Sequence, residues 1–511
     1  MAFLVSHGLG AIRQVIFNAI FGTGPEADAY YAASRLPEVL FDLIASGAFT
    51  HAFIPVFLSY EKDHGQREAW RLASLVFNVL LVILTALVFA GEFVAPTFVS
   101  RLLVPGYSPT EQALTTQLTR IMLIQPLILG VGTVTTALLN SKRQFLLPAI
   151  SLAIYNVGLI GGLLFTLANP GLGIYGPTYG AIAAATSQVV VMLPGLVKQG
   201  VRYTFIWDLK HHGLHEVMRL LGPNVLGVAI ASVGFVVDTA YISYMPDKAS
   251  LAASRNAHLL FALPLALVAQ AIGQAVLPHL ATLATSARYV RLRNTIVKVM
   301  GGALLLSLVF ALMLYFFGKP AIEILYQHGA FKKHSATVTD TALLGYAVAL
   351  PGISLADLIV LGFFALKDTK TPLFTHIMAL FIRWGLIILL LRSLTGSHVI
   401  LAIPLAIAGA GSIEALLLGY LLHIRLRSKA KLDKAMQRLE RRRRHDSSTT
   451  TGREPQVHLS DPSEQHMVEL VASVAVDNVG ADLSRPPPIY RPTSVESGEQ
   501  RMSESEESQE D

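Results

Sequence analysis

The stretch Ala48-Phe49-Thr50-His51-Ala52-Phe53-Ile54-Pro55 is echoed 223 positions later by Ala271-Ile272-Gly273-Gln274-Ala275-Val276-Leu277-Pro278. A second echo keeps nearly the same offset: Pro126, Leu139-Asn140-Ser141-Lys142-Arg143 and Pro148 are matched by Pro351, Leu366-Lys367-Asp368-Thr369-Lys370 and Pro372. Two independent echoes at one spacing mark a duplication, and duplicated halves in an apolar chain point to a transporter whose path lies between them. The composition demands a bilayer. Of 511 residues, 53% are hydrophobic and 14% charged, and the mean hydropathy is +0.53, more apolar surface than one soluble core can bury.

Windows long enough to cross the hydrocarbon layer fall at 2–22, 29–58, 71–99, 113–139, 146–168, 176–197, 219–245, 252–284, 295–318, 337–366, 372–394 and 399–424. Spans this apolar must be helical, because each amide has to find its partner inside its own segment. The expected fold is therefore all-α and polytopic, with about twelve transmembrane helices in two six-helix lobes, residues 1–200 and 201–425. Each half holds an even number of spans, so both enter the membrane the same way and are related by a pseudo-two-fold axis along its normal.

Alternate short loops carry Lys62, Arg67 and Arg71; Lys142 and Arg143; Lys198, Arg202 and Lys210; Arg288, Arg291 and Arg293; and Lys367 and Lys370. These loops are expected on the cytoplasmic side, with both termini. The first twenty residues lack a basic start and a small-residue cleavage site, and they contain Arg13, so they read as the first span. Residues 426–445 form a basic juxtamembrane segment, and the run over 425–444 suits anionic lipid headgroups. The stretch 446–511, rich in Ser, Pro, Glu and Thr, reads as a disordered cytoplasmic tail.

Enzyme signatures are weak. With no cysteine there are no disulfides, thiolate metal ligands or cysteine nucleophiles. Gly171-Leu172-Gly173-Ile174-Tyr175-Gly176 has dinucleotide-fingerprint spacing but no strand before it and no acidic ribose ligand after it. His211, His212 and His215 lie beside Lys210, with only Glu216 as a nearby carboxylate, and read as a solvated interfacial face. There is no Walker loop. The chain reads as a transporter rather than an enzyme, with no cofactor, no metal and no nucleic-acid partner, driven by an ion gradient, membrane potential or the substrate gradient.

An ionisable group at mid-bilayer costs about 2.5–3.5 kcal/mol on insertion scales. In the second span Tyr31, Arg35, Glu38, Asp42 and Ser46 recur at three- and four-residue steps on one face, with Asp28 seven residues before Arg35. The first span adds Ser6, His7, Gly10 and Arg13; further along come Arg120, Asp238, Arg255, His258, Asp357, Arg383 and Glu414. One reading is that such groups pair and hold helices in register. The other is that a row of them lines a water-filled cavity between the halves, where arginine forks suit phosphate oxygens.

The sequence resembles the MurJ (MviN) lipid II flippases, within the larger multidrug/oligosaccharidyl-lipid/polysaccharide exporter fold, over roughly residues 4–425. The resemblance rests on Arg35-Leu36-Pro37, Gly47-Ala48-Phe49 with Ala52-Phe53-Ile54-Pro55, Pro105-Gly106-Tyr107 before Leu114-Thr115, Leu138-Leu139-Asn140 to Pro148, Gly222-Pro223 with Leu226-Gly227, Gln327-His328-Gly329-Ala330-Phe331, and Asp368-Thr369-Lys370-Thr371-Pro372. It implies a V-shaped pair of lobes that opens alternately to each side of the bacterial cytoplasmic membrane. The cargo would be an undecaprenyl-diphosphate-linked peptidoglycan precursor, carried outward for cell-wall biogenesis and cell shape.

By that resemblance the family's helix-one pattern becomes Ser6-His7, Gly10 and Arg13-Gln14, with His7 in place of an arginine. Phe41 and Leu259 stand where arginines are usual, and the basic segment arrives after twelve spans, where the family adds two helices that form a groove for the lipid tail. The implied site is Arg13 with Ser6, His7, Arg35 and Asp28, completed from the second lobe by Arg255 and His258. Asp238 matches a sodium-site acid, and Arg383 falls among the helix-eleven ligands, so the Arg383 guanidinium is expected to replace the ion. Three alternatives stay open: a flippase for another polyprenyl-linked glycan, an ion-coupled multidrug antiporter using Asp28, Asp42 and Asp238, and a transport-inactive scaffold that recruits cell-wall synthesis proteins.

Overall fold

The computed structural model describes residues 2–45, 47–247, 250–286 and 288–449. Its first half runs α1 (Ala2–Phe21), α2 (Pro25–Ala33), α3 (Arg35–Ala45), α4 (Gly47–His64), α5 (Gln66–Phe98), α6 (Pro109–Met122), α7 (Gln125–Ser141), α8 (Leu146–Ala168) and α9 (Tyr175–Lys198). The second comprises α10 (His212–Ser243), α11 (Ser250–Leu265), α12 (Ile272–Thr285), α13 (Tyr289–Tyr326), α14 (Lys333–Ala365), α15 (Lys370–Ser393) and α16 (Ala402–Thr449). No strand occurs among the described residues.

Nine helical stretches among the described residues are long and apolar enough to cross a membrane. Two shorter apolar runs, Gly8–Phe21 and Val228–Ser243, and the segmented path α2–α3–α4 complete the twelve expected windows. The segmentation has a local cause: Pro37 lacks the N–H that would bond the carbonyl of Ala33, and the chain turns at Ser34 between α2 and α3. Phe93, Phe316, Phe317 and Leu416 point outward and exposed, the surface expected of a protein solvated by lipid. Helix α16 carries on through Thr449, past the boundary expected at 446; side chains beyond Lys431 and the whole of 450–511 lie outside the described residues.

The duplication shows in the backbone. Arg143 and Lys367, 224 positions apart, are the non-glycine residues with positive φ among those described, both at 59°. Each closes a helix with the same pair of hydrogen bonds. Arg143 N–H donates to Asn140 (3.0 Å) and Gln144 N–H to Leu139 (2.9 Å); Lys367 N–H donates to Phe364 and Asp368 N–H to Phe363, both at 2.9 Å.

At the opposite end of the helices, a seal of two contacts joins the halves, and the contacts are related by the same offset. Ala330 N–H donates to the carbonyl of Ala19 (2.8 Å), and Gly106 N–H donates to Ser243 Oγ (3.0 Å). Ala19 and Ser243, like Gly106 and Ala330, are 224 positions apart, so exchanging the halves exchanges the contacts. An axis running along the bundle between them is the pseudo-two-fold axis. These approaches need glycine: Gly329, at φ +58, would place a Cβ 2.2 Å from the Ala19 carbonyl oxygen, and Gly106 would place one 2.4 Å from that of Ser243.

Helix α10 belongs to both halves. The 201–211 connector docks on α5, with Asn78 Nδ2 donating to the Ile206 carbonyl (3.0 Å), Tyr203 Oη to Asn78 Oδ1 (2.8 Å) and Thr204 N–H to Ser74 Oγ (3.2 Å). Leu214, Val217 and Leu221 then pack into the core built by α4 and α5 around Phe53, Phe57 and Trp70. Farther along, Asp238 meets α15, and Ser243 reaches the seal.

Candidate functional site

Below the seal, α1 and the turn that follows it lay down three tiers. Nearest the seal, Thr23 Oγ1 donates to Ser335 Oγ at 2.8 Å. One turn further in, Gln14 and Asn18 mesh with Asn256 of α11. Gln14 Nε2 donates to Asn256 Oδ1 (2.7 Å) and Tyr31 Oη (2.7 Å), and Asn18 Nδ2 to Asn256 Oδ1 (3.0 Å). This buried amide floor joins the halves and is satisfied internally, as burial of amides requires. Beyond it, farther from the seal, lies the third tier, where Arg13 enters a cavity.

That cavity, about 330 Å³, is lined by Arg13, Gln14, Tyr30, Glu38, Phe41, Gln125, Tyr155 and Gln188, with Arg255 reaching in from α11. A second, about 540 Å³, lies between the halves and is lined by Arg35, Glu38, Asp42, Asp238, Arg255, His258 and Arg383. The two share Glu38 and Arg255. Glu38 accepts from Arg35 Nη1 at 3.1 Å and faces Arg255 Nη2 at 3.5 Å, so one carboxylate spans both halves and holds two arginines. The Arg35 guanidinium also lies 5.6 Å from the centre of the Phe235 ring of α10, a cation–π contact.

The expected residues converge with one displacement. Arg13 Nη1 donates to Asn156 Oδ1 (3.3 Å), and Asn156 Nδ2 donates to Ser6 Oγ (3.2 Å), so Ser6 steadies the residue that holds Arg13. His258 lines the second cavity with its ring edge-on to Tyr346. The side chain of His7 lies outside the described ones. Asp28 is the displaced member: it lines neither cavity and is 3% exposed. Its carboxylate accepts from the backbone N–H groups of Ala252 (2.7 Å) and Leu251 (3.3 Å) and from Tyr107 Oη (3.4 Å). It caps α11 across the halves, as an acid suits a helix N-terminus.

Arg383 and Asp238 form a direct hydrogen-bonded ion pair. Both are largely buried, and Asp238 Oδ1 and Arg383 Nε have no hydrogen-bond partner among the described residues. The Gly171–Gly176 stretch runs through the turn between α8 and α9 into the first residues of α9, and His211 caps α10, its Nδ1 accepting from Gly213 N–H at 3.2 Å. Sequence reasoning missed the amide floor, since Gln14, Asn18 and Asn256 carry no charge to flag them. Their helical spacing on α1 was the available signal.

The sequence profile of the family described as "Lipid II flippase MurJ" matches residues 17–440, most of the chain. The chain belongs to the MurJ family. The lipid II flippase MurJ of Burkholderia cenocepacia is 29% identical over 378 residues, covering 72% of each chain. A solved structure of lipid II flippase MurJ in an inward closed conformation superposes with TM-score 0.70 at 22% identity, over 93% of this chain and 96% of that one. An inward-facing multidrug resistance MATE transporter of the MOP superfamily gives 0.69 at 13% identity, over 84% and 96%. At these identities the two structures establish the fold alone, while the family profile makes the chain a transporter and, with the apolar helices, a multi-pass protein of the bacterial inner membrane. Of the departures from the family pattern, Phe41 lines the first cavity as an apolar wall, and Leu259 is 37% exposed.

Proposed function

We propose that this chain is a lipid II flippase, moving an undecaprenyl-diphosphate-linked headgroup from the inner to the outer leaflet by alternating access, without catalysing a covalent step. The observation that carries the reading is the convergence of Arg13 and Arg35 from one half with Arg255 from the other on adjoining cavities beneath a seal. The termini and the basic loops are taken to face the cytoplasm, so the cavities open inward and the seal faces outward. Residues 1–200 and 201–425 act as rocking lobes, with the 425–444 segment on anionic lipid.

The chemistry follows from the charges. A lone arginine in a cavity is costly, and the single Glu38 carboxylate offsets about half the charge of Arg35 and Arg255 while no cargo is present. A diphosphate brings more negative charge than one carboxylate and can bind two guanidinium forks at once, so it displaces Glu38 and draws α3 and α11 together. Arg13 approaches from the third side, held by Asn156; His258 and the tyrosines Tyr30 and Tyr155 face the sugars. Asp238 and Arg383 supply an internal ion pair in place of a bound sodium.

The test is complementation of a flippase-depleted bacterium, together with direct binding of the headgroup to purified protein. Arg13→Ala should abolish both, while Arg13→Lys keeps part, because lysine retains charge without the bidentate fork. Full activity of Arg13→Ala would refute the assignment, and tighter binding of a different polyprenyl-linked glycan would redirect it.

A further inference from the structure

A third cavity, about 680 Å³, lies wholly within the second half, between α14, α15 and α16. Asp357 of α14, His376 and Arg383 of α15 and Glu414 of α16 all line it. Glu414 is 8% exposed, and its carboxylate pairs with His376 Nδ1 at 3.6 Å. A buried carboxylate–imidazole pair facing a cavity that also holds a second carboxylate, Asp357, is costly in the membrane and calls for a function.

The surroundings narrow what that is. Thr369 and Pro372 line its end opposite the seal, the end taken as its mouth. Asp368 beside it is already occupied by Arg425 and the Thr371 hydroxyl. Helices α12 and α13 contribute Leu280, Leu283, Leu292 and Ile296 to this part of the core, and α10 contributes Asp238, reached through Arg383. A guanidinium in the same cavity repels a metal cation. A proton, by contrast, is what a carboxylate–imidazole pair takes up and returns at ordinary pH.

Arg383 makes the cavity more than a local curiosity, because it lines the headgroup cavity as well. It sits seven residues from His376, two turns or about 10 Å along α15. Its partner Asp238 is on α10, the helix that packs on the first half and ends in the seal.

We propose that Asp357, His376 and Glu414 form a proton-binding site read out by Arg383, which makes the proton the coupling ion of this transporter. The inference rests on the transport reading above. Glu414 takes a proton from the His376 imidazolium, and the imidazole is reprotonated from water at the Thr369 mouth; only N–H and O–H bonds change. With both carboxylates ionised, Asp357 and Glu414 compete with Asp238 for the Arg383 guanidinium. Protonation removes that competition and locks Arg383 onto α10. Proton release toward the mouth then loosens the helix that holds the seal.

Two measurements on the purified full-length protein test this. Infrared difference spectra between about pH 8 and about pH 5 read protonated carboxyl directly, a range in which a histidine-coupled site titrates. The wild type should show a carboxyl band that disappears in Glu414→Gln and shrinks in Asp357→Asn, both close to isosteric. In proteoliposomes at clamped potential, a one-unit pH gradient should accelerate movement of a short-chain lipid II analogue by up to about tenfold, the change in proton activity it imposes, and Glu414→Gln should lose the acceleration. A band indifferent to both substitutions, or transport that follows sodium at fixed pH, overturns the proposal. Should the band behave as expected while the analogue neither binds nor moves, the proton site stands and the headgroup reading falls.

Discussion

Asp28→Ala removes a carboxylate that the fold uses once, to cap α11 from the opposite half. Two backbone N–H groups, those of Ala252 and Leu251, lose their acceptor in a site 3% exposed. An unsatisfied buried donor costs about 1–3 kcal/mol, and loss of the charge at a helix N-terminus adds about 0.3–1 kcal/mol. Because the 3.3 Å bond is weak and water can enter, the lower part of that range applies, about 2–4 kcal/mol in all. When the seal opens, α2 and α11 part and these bonds are lost anyway, so the cost falls on the sealed state. The sealed-to-open ratio should drop roughly 30- to 700-fold at 1.4 kcal/mol per decade. Zero native cysteines make the measurement clean: spin labels on Glu26→Cys and Lys333→Cys, both exposed on the sealed end, report their separation by pulsed dipolar spectroscopy. The wild type should give a short distance and Asp28→Ala a long one. An unchanged distribution with a lowered melting temperature would show that Asp28 is an ordinary stabilising cap, equally satisfied in every conformation.

Three further outcomes follow from pairs already described. Glu38→Gln frees Arg35 and Arg255; since both pairs are partly exposed and worth about 0–1 kcal/mol each, headgroup affinity should rise up to about thirtyfold in a binding titration. Asp238→Ala leaves the Arg383 guanidinium buried and unpaired and should destabilise the detergent-solubilised protein by about 3–5 kcal/mol, whereas joint replacement of Asp238 and Arg383 by leucine should cost far less; sodium should stabilise neither form. Burial opposes the ionisation of Asp368 in the α14–α15 loop, but the Thr371 hydroxyl and N–H, the Arg425 guanidinium and the Lys370 N–H outweigh it and hold its acidity below the ordinary carboxylate value. A depressed folded-state value adds stability above about pH 4 that is lost as pH falls further, so Asp368→Asn should lower stability near neutrality and flatten the acid limb of the unfolding profile.

What was legible in the sequence and what was not divides along one physical line. Span positions and the duplication come from local hydropathy and fixed offsets, and the structure repeats the offset in the Arg143 and Lys367 turns and in the paired seal contacts. The Arg383–Asp238 pair was legible because a cation stood where an ion was expected. Asp28 was misplaced for the opposite reason: heptad spacing set it on the face of Arg35, but the turn at Ser34 rotates α2 against α3 and sends its carboxylate to a helix start 224 residues away. Helical periodicity cannot see such a break. Asp357, His376 and Glu414 come from three helices with no shared spacing, and only packing brings them together. The same division explains the design: the seal is built from a backbone N–H of each half donating to the equivalent position of the other, to the Ala19 carbonyl in one case and the Ser243 hydroxyl in the other. The charges that tell the halves apart, Arg13 in one and the Asp357–His376–Glu414 cluster in the other, lie away from it. Symmetric contacts are easily exchanged between states, whereas unlike chemistries in the two halves give the exchange a direction.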